Sequence, residues 1–274
     1  RYWYLTPAVF STEWEMMSNL NMDDLYEDIA SYDIHFKIPK NYVLESNLYQ
    51  YKTITNQFAE YYLIGYQKKN IIININKNKR FKSFQTNNTQ VKTDVVDSEI
   101  THATARHIIQ KEVSFIESYL GKHPHLELLV DANSVRKNSL QEIYGLPDWL
   151  TPYPENFRWE MRFFNALTTI YIDDVLLLNK RKDYWLIDAL QTFLMMEYTK
   201  KYYPKVSVIG KYSKWWGIRK YNISQLKQND KYPFLYQFSA RKFYDQPLTM
   251  RSDSLSNFNR KVISKSAILT TKIL

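Results

Sequence analysis

The chain has 274 residues and is 45% hydrophobic, enough for one or two domains with a real core, and it contains no cysteine, which removes disulfides, thiolate metal sites and cysteine nucleophiles together. Its five glycines argue against a phosphate-cradling loop, no Gly-x-Ser-x-Gly elbow occurs, and no apolar run reaches the roughly 18 residues of a membrane helix. The formal charge of +9 invites an anionic partner, but the lysines are spread along the chain, and the densest run, Lys77 to Lys82, reads as a solvated loop at the end of a strand.

No basic-then-apolar leader opens the sequence, which begins at Arg1 and reads as a mature or trimmed piece of a longer protein. The first third alternates apolar and polar residues in short runs. Tyr32 to Ile38 alternates until Pro39, while Phe58 to Tyr66 and Ile71 to Ile75 are rich in β-branched and aromatic residues, so an antiparallel β region is expected. Residues 85–97 turn polar and read as a domain boundary or a long loop.

From about Ser98 the period changes from two to nearly four. Ile100 to Leu120 reads as a helix with Ala103, His107 or Ile108, Val113 or Ser114, and Ile116 inward, ending at Gly121. Leu126 to Val130 reads as a short buried strand, and Pro147, Pro152 and Pro154 keep the stretch that follows irregular. Two core helices come next. Asn156 to about Leu177 aligns Phe157, Met161, Phe164, Thr168, Tyr171 and Val175, and a second helix capped by Asp183 carries Trp185, Ala189, Phe193 and Met196 beside Leu186, Leu190 and Leu194. Further helices are expected at about Pro233–Tyr244 and Asp253–Ser266. The fold class predicted is α+β.

The five histidines are His35, His102, His107, His123 and His125. His102 and His107 lie about 140° apart on a helix and do not converge on one metal. His123-Pro124-His125 reads as a surface or turn feature, and the pairs Asp23-Asp24 and Asp173-Asp174 as solvated faces or caps.

One stretch carries more. Asp183-Tyr-Trp-Leu-Ile-Asp-Ala-Leu-Gln-Thr-Phe-Leu194, running on to Tyr202-Tyr203-Pro204, resembles the second active-site helix of the M1-family (gluzincin) zinc aminopeptidases, where a Trp-Leu-x-Glu motif places a glutamate ligand. Gly121 to Val130 is similar to the strand that enters the family's catalytic domain. The resemblance implies that residues 1–97 are the end of an N-terminal β domain and residues 98–274 a thermolysin-like, mainly helical domain truncated at its C-terminal end.

In that family two histidines at i and i+4 of one helix bind zinc, the glutamate between them activates the metal-bound water, and a glutamate on the next helix completes the site. By the family's spacing the histidine positions fall on Asn165 and Thr169, the general base on Ala166 and the third ligand on Asp188. The register is secondary, because no histidine or cysteine occurs anywhere in residues 126–274. Asp188 is therefore expected in a polar network with Asn165, Thr168 and Thr169 rather than on zinc. The family's Gly-x-Met-Glu-Asn strand, which holds a substrate amine, is replaced by Tyr144-Gly145-Leu146-Pro147-Asp148, and Tyr244 is the nearest candidate for the family's transition-state tyrosine. Tyr144, Gly145 and Tyr244 would then line what remains of the cleft.

The resemblance thus implies a catalytically inactive, M1-like protein that requires no metal or other cofactor and binds or scaffolds a protein or peptide partner, with carbohydrate as another ligand class. Its alternatives are a metallopeptidase piece whose activity depends on parts outside this chain, and a basic binder of an anionic partner, with nucleic acid ranked last. No transmembrane segment is expected, and a cell-envelope or secreted setting is favoured over the cytoplasm.

Overall fold

A computed structural model describes residues 8–16, 27–96, 100–137, 152–207, 209–217, 220, 225–227, 230, 237, 240–256 and 259. Of these, the residues within 1–14, 27–137 and 173–175 form one compact unit, and those within 15–26, 138–172 and 176–274 another. Strands and helices together make the α+β class expected.

In the first unit, β1 (Ala30–Pro39), β3 (Tyr49–Ile54) and β4 (Phe58–Lys68) form an antiparallel sheet in the order β1-β4-β3. The alternation that marks β4 in the sequence sorts its residues by face: Ala59, Tyr61 and Leu63 are buried with Ile38, Leu44, Leu48 and Ile71, whereas Phe58, Tyr62 and Tyr66 remain exposed. Tyr62 lies opposite His35 on β1 and Tyr51 on β3. The His35 and Tyr62 rings stack with centroids 4.4 Å apart. A second pairing joins β2 (Val43–Ser46) to β5 (Ile73–Asn76), and Lys77 to Arg80 follow as an exposed connection.

The polar stretch 85–97 is not a plain loop. It contains β7 (Gln90–Thr93), the central strand of a third sheet, antiparallel to β6 (Lys82–Gln85) and parallel to β8 (Glu127–Val130). Only Val91 in β7 is apolar, so the strand is held by neighbours on both sides and leaves almost no periodic trace in the sequence. Parallel strands need a crossover, and here it carries α1 (His102–Leu120). Thr101 caps α1 by accepting the Thr104 N–H, and Gly121 ends it at φ 80°, a conformation natural to glycine.

The buried stripe of α1 is Ala105, Ile108, Ile109, Glu112, Val113, Phe115 and Ile116, while Ala103, His107 and Ser114 face solvent. Ile108, Val113 and Ile116 of the expected stripe are therefore buried, and Ala103 alone, in the first turn, lies outside it.

The second unit holds two long helices, α3 (Glu155–Leu176) and α4 (Tyr184–Tyr202); the exception is the Asp173–Val175 turn of α3, which belongs to the first unit. Phe157, Met161, Phe164, Thr168 and Tyr171 are buried as the helical stripe predicts, joined by Trp159, Phe163, Ala166 and Leu167. No residue from Tyr184 to Thr199 is exposed, which is the pattern of a helix surrounded by core. Asp183 stands just before α4, but its carboxylate accepts the Asn179 N–H at 2.9 Å instead of capping the helix. The turn that leads into α4 competes for the same oxygen and wins it.

The helices expected at 233–244 and 253–266 fall largely outside the described residues, within which Ser252–Ser254 form a single 3-10 turn. Among the described residues no helix is long and apolar enough to cross a membrane.

Candidate functional site

The facing sides of α3 and α4 carry the positions that the resemblance singles out. Asn165 and Thr169 are one turn apart on α3, and Ala166 is fully buried beside them. The contact that joins them to α4 is made by Gln191. Its Nε2 lies 2.7 Å from Asn165 Oδ1, 2.6 Å from Thr169 Oγ1 and 2.9 Å from the Asn165 carbonyl oxygen. Asp188 sits three residues before Gln191, on the same side of α4. The hydroxyls of Thr168 and Thr169 both donate to the Asn165 carbonyl at 2.9 Å, so their protons are committed within α3 and not offered to Asp188. Asn165 and Thr169 are thus linked to α4 through Gln191.

About a turn and a half before Asn165, α3 places a buried carboxylate. Glu160 accepts the Tyr198 hydroxyl at 2.5 Å through Oε1 and the Tyr203 hydroxyl at 2.6 Å through Oε2. The Phe164 and Tyr198 rings stack at 4.2 Å, and Phe157 meets Tyr203 edge to face at 4.9 Å. Because Glu160 meets Tyr198 while Asn165 meets Gln191, the two helices run antiparallel. Each charged or amide group thereby faces donors or acceptors from the opposing helix, as a buried polar group requires. No sequence motif assigns a role to Gln191, Glu160, Tyr198 or Tyr203. Their signal was available as polar side chains at i, i+3 or i+4 within otherwise apolar stripes.

Of the remaining candidates, Tyr144 and Gly145 lie outside the described residues, as do Asp23 and Asp24, and Tyr244 is a surface residue. His102 stacks on Phe84 at 4.7 Å and is otherwise exposed, as is His107.

His123 and Asp174 do not lie on the surface. The His123 ring is fully buried, its Nδ1 accepts the His125 N–H at 3.1 Å, and its Nε2 reaches Asp174 Oδ2 at 3.3 Å. Lys68 approaches the same carboxylate oxygen at 3.8 Å. All four residues belong to the first unit. Burial opposes the charge on Asp174, but the hydrogen bond from His123 and the charge on Lys68 outweigh it and hold the carboxyl below its ordinary range. Burial lowers the Lys68 pKa, which Asp174 partly restores, and burial with the Lys68 charge lowers His125 to about 4.

These shifts fix a pH dependence. His125 titrates near 6.5 when unfolded and near 4 when folded, so between those values the unfolded state binds more protons, and stability falls as pH drops through that window. Asp174 acts in the same direction at lower pH, because its folded-state pKa is depressed below its ordinary value. Urea midpoints are therefore expected to fall between pH 6.5 and pH 4, and the fall should be shallower in His125→Gln. An unchanged slope in that variant would show that the acid sensitivity lies elsewhere.

No protein-family model and no curated protein matches the chain. Solved structures do. The M1 zinc metallopeptidase of Deinococcus radiodurans matches over 92% of this chain and 57% of its own, at a TM-score of 0.51 and 10% identity. A point mutant of the same enzyme matches over 90% and 58%, at 0.50 and 10%.

The fold is M1-like.

At this identity the likeness is one of fold alone, and the chain spans less than three fifths of those structures. The zinc that the M1 fold implies can be tested against the residues present. Zinc takes imidazole, thiolate or carboxylate donors, whereas the i, i+4 pair here offers an amide and a hydroxyl, and Ala166 offers no functional atom. Moreover, the space in front of that pair holds the Gln191 amide nitrogen at hydrogen-bond distance from both. These residues do not fit the ion.

Proposed function

We propose that this chain is a catalytically inactive, M1-like protein that binds or scaffolds a partner instead of cleaving it. In this reading residues 1–97 end an M1-type N-terminal β domain, and residues 98–274 form a thermolysin-like domain whose zinc ligands have become Asn165, Thr169 and Asp188. The observation that carries it is the inventory of donors: no histidine or cysteine occurs after His125, so no shift of register can supply two imidazoles to α3.

Protein or peptide is the favoured partner class. Support comes from the face of β1-β4-β3 on which Tyr49, Tyr51 and Tyr66 are exposed by 74%, 62% and 72%, since tyrosine offers apolar area with a polar tip. A glycan would use the same chemistry. The reading is tested by incubating the full chain with aminoacyl-anilides, with and without added zinc. No turnover above buffer is expected in either arm; chelator-sensitive hydrolysis would overturn it.

A second reading is favoured by the partial span of the M1 structures, namely that this chain is a piece of a metallopeptidase whose active parts lie elsewhere. It predicts that the longer protein, and not this chain, binds zinc. The basic-binder reading ranks last and predicts a shift with random DNA that weakens steeply as salt rises.

A further inference from the structure

We propose that Gln191 occupies the position a metal holds in this fold, so that an amide and not an ion clasps α3 to α4. The inference rests on the proposed reading of Asn165, Thr169 and Asp188 as former ligand positions. Side chains at i and i+4 of one helix converge on a point in front of their shared face. Here that point is filled by one atom, the Gln191 Nε2, at 2.7 Å from Asn165 Oδ1 and 2.6 Å from Thr169 Oγ1.

The chemistry of the surrounding oxygens agrees. The Thr169 hydroxyl gives its proton to the Asn165 carbonyl, and that carbonyl also lies 2.9 Å from Nε2. Three oxygens therefore face Gln191 as acceptors. An amino group with two polarised N–H bonds meets the electrostatic demand that a cation would meet, at hydrogen-bond length instead of the roughly 2.0–2.2 Å of zinc coordination. Gln191 reaches the point from the opposing helix, as a third ligand would, with a side chain one methylene longer than that of Asp188. While its nitrogen sits there, no ion can. The site is closed, not merely stripped.

The test grafts the missing imidazoles onto the full chain. Asn165→His/Thr169→His is prepared with Gln191 retained and with Gln191→Ala added, Asp188 being kept in both. Melting temperatures are then read with and without zinc. Zinc is expected to raise the melting temperature of the Gln191→Ala form by roughly 5–10 °C when present about a hundredfold above its dissociation constant, and to leave the Gln191 form unmoved. An equal rise in both forms, or a rise in neither, would falsify the proposal.

If the grafted pair does not fold, Gln191→Glu in the wild-type background decides. A carboxylate among three acceptors should lower the melting temperature at pH 7, and protonation, which restores a donor, should narrow the gap at pH 5. Equality with wild type at both pH values, or a gap independent of pH, contradicts the clasp. Failure of the underlying reading would show differently, as zinc uptake and turnover by the unaltered chain.

Discussion

Glu15→Ala is expected to destabilise the second unit by about 3–5 kcal/mol, the cost of removing one partner of a buried ion pair. The Glu15 carboxylate is only 2% exposed and binds the Arg181 guanidinium at 3.0 Å and that of Arg251 at 2.8 Å. Arg181 is equally buried, whereas Arg251 is 36% exposed and also holds Asp253 at 2.9 Å. The asymmetry decides where the cost falls. Arg251 can turn to Asp253 and water, but Arg181 cannot leave, since its carbonyl accepts the Ser252 N–H and its own N–H donates to the Asn179 side chain. A large effect is therefore expected for Glu15→Ala and a small one, near the about 0–1 kcal/mol of exposed ion pairs, for Arg251→Ala. Urea titrations of the two variants check this. Equal losses would mean that the buried member of the network is not the one that matters.

The second large effect is expected at Glu160→Ala, about 2–5 kcal/mol. Removing this carboxylate strands the Tyr198 and Tyr203 hydroxyls, which now donate to it, and leaves a void where three side chains met. Tyr198→Phe should cost less, about 1–3 kcal/mol, because Glu160 retains the Tyr203 hydroxyl and the ring still stacks on Phe164. Combining Tyr198→Phe and Tyr203→Phe with an intact Glu160 should cost more than their sum, since both hydroxyls donate to the same buried carboxylate. Thermal melts of the two single variants and the double one read that coupling directly. Strict additivity would contradict the shared role assigned to the carboxylate.

Both networks bear on how much of this molecule is legible in its sequence. The alternation in Tyr32 to Ile38 and Phe58 to Tyr66 marks two strands because each buries one face, and the wide apolar stripes of α3 and α4 mark two core helices for the same reason. Where burial does not follow a simple period, the sequence is silent. β7 is held between two neighbouring strands and needs only Val91 to be apolar, so it reads as loop. Glu15 and Arg181 are 166 residues apart, and nothing local announces that they meet.

The candidate site divides in the same way. Asn165, Ala166, Thr169 and Asp188 are the positions that the resemblance to the M1 family implies, and the structure sets Asn165 and Thr169 one turn apart on α3. The residue that joins them was hidden by its ordinariness. Gln191 looks like an interruption of an apolar run, and only the antiparallel pairing of the helices shows that it points at the two positions that the resemblance names. The burial of His123 and Asp174 is hidden for a related cause. Histidine and aspartate beside proline or at a helix end are most often solvated, and burial against Lys68 is a property of the fold and not of the neighbouring residues.

The central claim is that the M1-like helices of this chain hold no zinc chemistry. Equilibrium dialysis of the full chain against excess zinc, followed by metal analysis of the retained protein, tests it most directly. No stoichiometric zinc and a melting temperature indifferent to chelator are the expected result. One zinc per chain, removed by chelator together with aminoacyl-anilide turnover, would contradict it.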